Sequence, residues 1–325
     1  MSQAGATETS TTTEQTKNVT DIDRTGQLKI VAETPARLKA ALKGVPKKLL
    51  LWTPGPGKWS ILEIVAHMRD MERDAYIARY RRILTEDNPT LPDIDGDLIA
   101  LRDDYRSMKL ADLLRDFLKL RKECLKLLKS VKGAQWDRMG THETAGPLSM
   151  TDLLRRQSIL NDEPHLGQID GIKKRAVAFE ALEASPKKLG DLTKKLDDAV
   201  LRKKPAPEKW SALEVVCHLR DIEKLWADRI VKAAFYDKPA FFMPDVDSLA
   251  VKNGYNTQDL GASLKEFARL REDSLRLLRA LPASQWKRTG MHPKRGEISI
   301  DRIVEIMIGH DKGHFDQIAA AVAAA

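Results

Sequence analysis

The chain has 325 residues, 42% of them hydrophobic and 31% charged, which is enough apolar surface for a real core and about twice a typical domain length. Its net charge of +8, from 55 basic and 47 acidic side chains, is spread along the sequence, which favours solvated helix faces over a nucleic-acid footprint. Two cysteines outside any CxxC spacing argue against a disulfide framework, and no apolar run approaches bilayer-spanning length. A soluble, cytoplasmic protein with no membrane or nucleic-acid partner is expected.

Residues 1–25 open with MSQAGATETSTTTEQT, rich in Ser, Thr, Gln and Glu without an apolar centre, and are expected to form a disordered tail. Beyond it the chain repeats itself. GKWSILEIVAHMRDM from Gly57 matches EKWSALEVVCHLRDI from Glu208 at nine of fifteen positions, an offset of 151. PDID at Pro92 then matches PDVD at Pro244, Tyr105 matches Tyr255, Trp136 matches Trp286, and His142 matches His292. PHLGQI at Pro164 matches GHFDQI at Gly313. The offset drifts only between 149 and 152, so small loop insertions are expected to separate two copies of a whole domain, at 26–173 and 177–325.

Each copy reads as four helices. In the first, Ser60-Ile-Leu-Glu63 is a capping box, in which hydroxyl and carboxylate satisfy the open amides of a first turn. In the second, a helix over about Val177 to Leu196 precedes the breaker stretch KKPAPEKW. The capping box Ser211-Ala-Leu-Glu214 then opens a helix to about Phe235. After a loop with Pro239, Pro244 and Gly254, a third helix over Leu260 to Leu281 places Leu264, Phe267, Leu270, Leu275 and Leu278 at helical spacing. The stretch RTGMHPKRGE is expected to be irregular before a last helix from Ile300. No segment shows strand alternation flanked by hairpin turns. The predicted class is all-α, two tandem four-helix bundles.

Seven histidines are distributed unequally between the copies. His310 and His314, four apart, share one helix face, and His218 lies two turns into another helix, so the three can form one site with open positions. Spacing alone leaves metal binding and core packing equally open. In the first copy His67 and His165 match His218 and His314, but Asn161 stands where His310 would be, and an amide oxygen is a poor transition-metal donor. Pro164 replaces Gly313, and a kink there is expected to unsettle the register of 161 with 165. The first set is therefore read as degenerate, and retention of His67 without a full set shows that this position also packs.

Asp221, three residues after His218, is a candidate to orient an imidazole from behind, although its counterpart Asp70 makes a salt bridge equally reasonable. Asp311 follows His310 and points elsewhere on the helix. Asp245 and Asp247 either line the site or form turns. His292 is expected to fix its loop by hydrogen bonding, and Cys217, Tyr255, Trp210 and Trp286 to pack in the core.

WSALEVVCHLRD, PDVD, GMHPKRGEIS and GHDKGHFDQI together resemble the DinB/YfiT-like superfamily over nearly all of 177–325 and, with the losses described, over 26–173. The resemblance implies a four-helix bundle holding a divalent metal, often zinc or nickel, on three histidines that map to His218, His310 and His314. It further implies a metal-dependent hydrolase, or a transferase or isomerase that uses a low-molecular-weight thiol, acting on a small-molecule substrate. Family members commonly dimerise, so the tandem is expected to reproduce that pairing within one chain. The competing reading is a non-catalytic small-ligand or protein-interaction module built from the same helices.

Overall fold

The computed structural model describes residues 22–55, 57–96, 98–99 and 104–323. The described residues fall into two compact units, those within 22–53 and 59–173 forming the first and those within 54–58 and 174–323 the second. Of the tail expected over 1–25, residues 1–21 lie outside the described residues. The Asp23 carboxylate already accepts the Gly26 amide at 2.8 Å and caps a helix, Arg24–Leu42.

The second unit has four long helices, as expected. They are the remainder of Glu163–Thr193, then Ala212–Phe235, Leu260–Ala280 and Ile300–Ala323. Ser211 and Glu214 close the capping box at the start of the second of these. Leu213, Val216, Cys217, Phe267 and Ile318 are buried in one core cluster. Each large apolar side chain taken fully out of water there contributes roughly 1.5–3 kcal/mol. The first unit follows the same order, with Arg24–Leu42, a helical run from Ile61 to Thr85, Leu110–Ser130, and a run that opens at Met150.

Two features differ from expectation. The stretch before each last helix is a β-hairpin. Met139–His142 pairs with Gly146–Ser149, and Thr289–His292 with Gly296–Ser299, both antiparallel. Strands of four residues rich in Gly, Met, Thr and His carry too little alternation to be read, and the turns rest on Gly146 and Gly296 at φ 73° and 68°.

The second difference concerns the insertions, two of which lie inside helices. Glu72 corresponds to Glu223 at an offset of 151, but Arg79 corresponds to Arg229 at 150; the extra residue falls within Met71–Ile77, which is π-helical. Ser149 corresponds to Ser299 at 150, but Asp162 to Asp311 at 149, and the extra residue falls within the π-helical Ser158–Asp162. A π-turn accommodates one added residue without breaking the helix. Pro164 follows directly, where the Glu163 amide already reaches back five residues to the Ser158 carbonyl. The widened turn absorbs the proline, and the register beyond it is kept.

A buried charge network recurs in both units. Arg271, 1% exposed, donates to Asp311 at 2.7 Å and to Glu223 at 2.8 Å, and Ser185 donates to Asp311 at 2.5 Å. Arg121 pairs likewise with Glu72 and Asp162 at 2.8 and 2.6 Å. Asp311, which had no assigned role in the sequence, thus anchors its helix to two others.

Candidate metal centre

The capped helix Ala212–Phe235 carries His218, and Ile300–Ala323 carries His310 and His314. The four-residue spacing stacks the latter two on one face, with ring centroids 4.4 Å apart. His218 meets them from the facing helix. Its Nε2 lies 3.2 Å from the Nε2 of His310, which in turn lies 3.2 Å from the Nε2 of His314. Among the described residues these three make the one group of three or more potential ligands that converge.

Hydrogen bonding cannot satisfy this arrangement. His314 Nδ1 lies 2.8 Å from Gln317 Oε1, which only accepts, so Nδ1 carries the proton and Nε2 presents its lone pair to the cluster. The Nδ1 atoms of His218 and His310 are buried without a partner. One Nε2–H on His310 would have to serve two neighbours. A cation satisfies all three lone pairs at once. Metal–nitrogen bonds of about 2.05 Å at a tetrahedral angle place ligand nitrogens about 3.3 Å apart, matching the two close separations, so the residues present fit a divalent ion.

The electrostatics agree with neutral ligands. Burial, then the neighbouring imidazoles of His314 and His310, lowers the pKa of His218 to about 3, and burial followed by His314 lowers that of His310 to about 4. His314 is lowered as well, by burial. Uncharged imidazoles are the form that binds metal.

The aromatic setting was not legible from the sequence. Trp210, assigned to core packing, is half-buried and lies against His218 and His314 at 4.7 and 6.3 Å. Trp226 stands edge-on to His310 at 5.8 Å. Gln317 was visible within GHFDQI, three residues after His314, but its role needed the geometry.

Other candidates fall elsewhere. The Asp221 carboxylate accepts from Arg220, Asn253 and the Tyr255 hydroxyl, while His218 Nδ1 has no partner, so Asp221 does not orient that imidazole. Asp70 makes the same bond to Tyr105 in the first unit. Asp245 caps the short helix Val246–Lys252, and Asp247 is exposed on it. Cys217 is fully buried, and burial raises its pKa. His292 accepts the Lys294 amide at 3.1 Å and fixes its turn, as expected.

The first unit retains most of this geometry. His67 and His165 are 4.8 Å apart, against 4.7 Å for His218 and His314, and Trp59 stacks on His165 as Trp210 does on His314. Gln168 accepts from His165 at 2.9 Å. The third imidazole is missing, since Asn161 is buried and donates to Asp162, and no tryptophan stands at the place of Trp226, where the first unit has Ala75 and Tyr76.

Comparison with known proteins finds a family model described as the DinB superfamily matching twice, over residues 30–169 and 181–318. A curated protein of Geobacillus thermodenitrificans (strain NG80-2), named "Putative metal-dependent hydrolase", is 26% identical over 145 residues, 45% of this chain and 81% of that protein. A solved structure described as "YfiT from Bacillus subtilis is a probable metal-dependent hydrolase with an unusual four-helix bundle topology" is 24% identical with a TM-score of 0.43, and covers 45% of this chain and 84% of that one.

Proposed function

The chain belongs to the DinB superfamily in both of its halves, and from that premise we propose that it is a metal-dependent hydrolase whose ion is held by His218, His310 and His314, with the first bundle as scaffold. The observation behind this reading is the convergence of three Nε2 lone pairs that hydrogen bonding cannot satisfy. A divalent ion such as zinc or nickel, held by these three nitrogens, would supply Lewis acidity. The chain supplies the rest. Gln317 fixes the tautomer and ring plane of His314. Trp210 and Trp226 cover the imidazoles and restrict water around them. The same centre also suits a low-molecular-weight thiol as nucleophile, and turnover assays with and without added thiol separate the two reactions.

Elemental analysis of purified protein tests the reading. About one transition metal per chain is expected for the wild type. His310→Ala should lose it while its circular dichroism stays helical. A metal-free wild type, or a variant that keeps the ion, overturns the assignment. Full metal content without turnover on any ester, amide or thiol substrate favours a non-catalytic module instead.

A further inference from the structure

A set of cations lies beside the histidines without belonging to them. Arg229 is 3% exposed, and its guanidinium lies 4.8 Å over the ring of Trp226, the residue that stands edge-on to His310. Among the described residues it forms no ion pair. Its Nη2 donates to the Phe242 carbonyl at 2.8 Å, and its buried Nε has no partner. A guanidinium has five donors, and a buried one is ordinarily paired with an anion.

The acid that acts on Arg229 is its chain neighbour Asp228, which pairs with Lys232 at 2.9 Å. The Phe241 amide donates to Met291, so the loop runs beside the hairpin next to His292. Lys294 and Arg295 follow in the exposed turn. The charges acting on the His292 imidazole are Arg229, Arg295 and Lys294, all cationic, and with burial they lower its pKa.

The first bundle supplies an internal comparison. Arg79 also donates to a loop carbonyl, that of Pro92, at 2.7 Å. There, however, the Asp93 amide donates to Glu143, and the Asp93 carboxylate lies 3.7 Å from His142. The two carbonyl bonds share an offset of 150 (229 − 79 and 242 − 92), and at that offset Asp95 and Asp245 accept the same pair of amides, so the match of PDID with PDVD is out of register by two residues; Asp93 aligns with Met243 and Glu143 with Pro293. Thr144 and Ala145 align with Lys294 and Arg295. At this place the bundle with three histidines has lost two acids and one base (Ile306 stands where Arg156 acts on Arg79 and His142) and gained two bases, a net shift of three charges.

We propose that the second bundle binds an oxyanion, a carboxylate or phosphate group, between Arg229 and the turn bearing Lys294 and Arg295. That this anion is part of the substrate rests on the metal-site reading; the binding itself does not. The planar fork of arginine matches both groups in two-point contact.

Calorimetric titration of the metal-stripped full-length protein at fixed low ionic strength, with inorganic phosphate in one arm and acetate in the other, tests the site. Saturable binding over a chloride background is expected, and the tighter arm identifies the group. Arg229→Met should weaken it about tenfold or more, and the Lys294→Ala, Arg295→Ala double variant several-fold. Arg79→Met should leave it unchanged. No saturable binding in the wild type, or wild-type affinity in folded Arg229→Met, overturns the proposal. If Arg229→Met does not fold, undiminished affinity in the turn variant overturns it equally. Elemental analysis of Arg229→Met, expected to match the wild type, reads the metal site separately.

Discussion

Three imidazoles held neutral in a protein interior make a residue-scale prediction about pH. His218 and His310 titrate near 3 and 4 in the folded chain, below the ordinary value of 6.5. As pH falls below 6.5 the unfolded chain takes up protons at these positions and the folded chain does not. The stability tied to them is therefore present above that pH and is lost on acidification toward 4. The loss is up to about 1.4 kcal/mol per pH unit for each histidine. Denaturant titrations of metal-stripped protein between pH 7 and 4.5 should show this slope, and His218→Ala should reduce it. An identical slope in the variant would assign the effect to other groups. The three histidines were legible because their spacing encodes a shared face. Trp210 and Gln317 were not, since neither spacing nor residue type says which way a half-buried tryptophan leans or which nitrogen an amide engages.

At the scale of elements, helix ends and faces were readable where local chemistry sets them. The Ser211 cap and the Leu260–Ala280 stripe are examples. Two things escaped. Arg271 sits inside that apolar stripe and is buried with it, because Glu223 and Asp311 on other helices neutralise it. One-dimensional pattern treats an arginine there as an interruption. The π-turns escaped because an added residue reads as a loop insertion until the helix is seen to continue through it. The network predicts a sharp cost. Asp311→Ala leaves a buried guanidinium half-paired and should destabilise the second bundle by about 3–5 kcal/mol, measured by denaturant unfolding. A change below about 1 kcal/mol would show that solvent already screens the network.

For the whole molecule, duplication was the most legible feature, since two copies of one sequence identify each other without any structural input. The state of the first site was not. Its proline was expected to disturb the register, but the π-turn returns His165 to its place against His67. Asn161→His therefore finds two imidazoles already positioned. Metal content should rise from about one to about two per chain. A content that stays at one, with the variant folded, would show that the first pocket is closed to an ion for another reason.

The paired arginine networks have a consequence for how such a chain can diverge. Arg121 and Arg271 tie three helices of their own unit together without drawing on any imidazole. Architecture and chemistry are thereby uncoupled. Mutational drift can erase a ligand in one copy while the scaffold persists, leaving that copy free to acquire a different task.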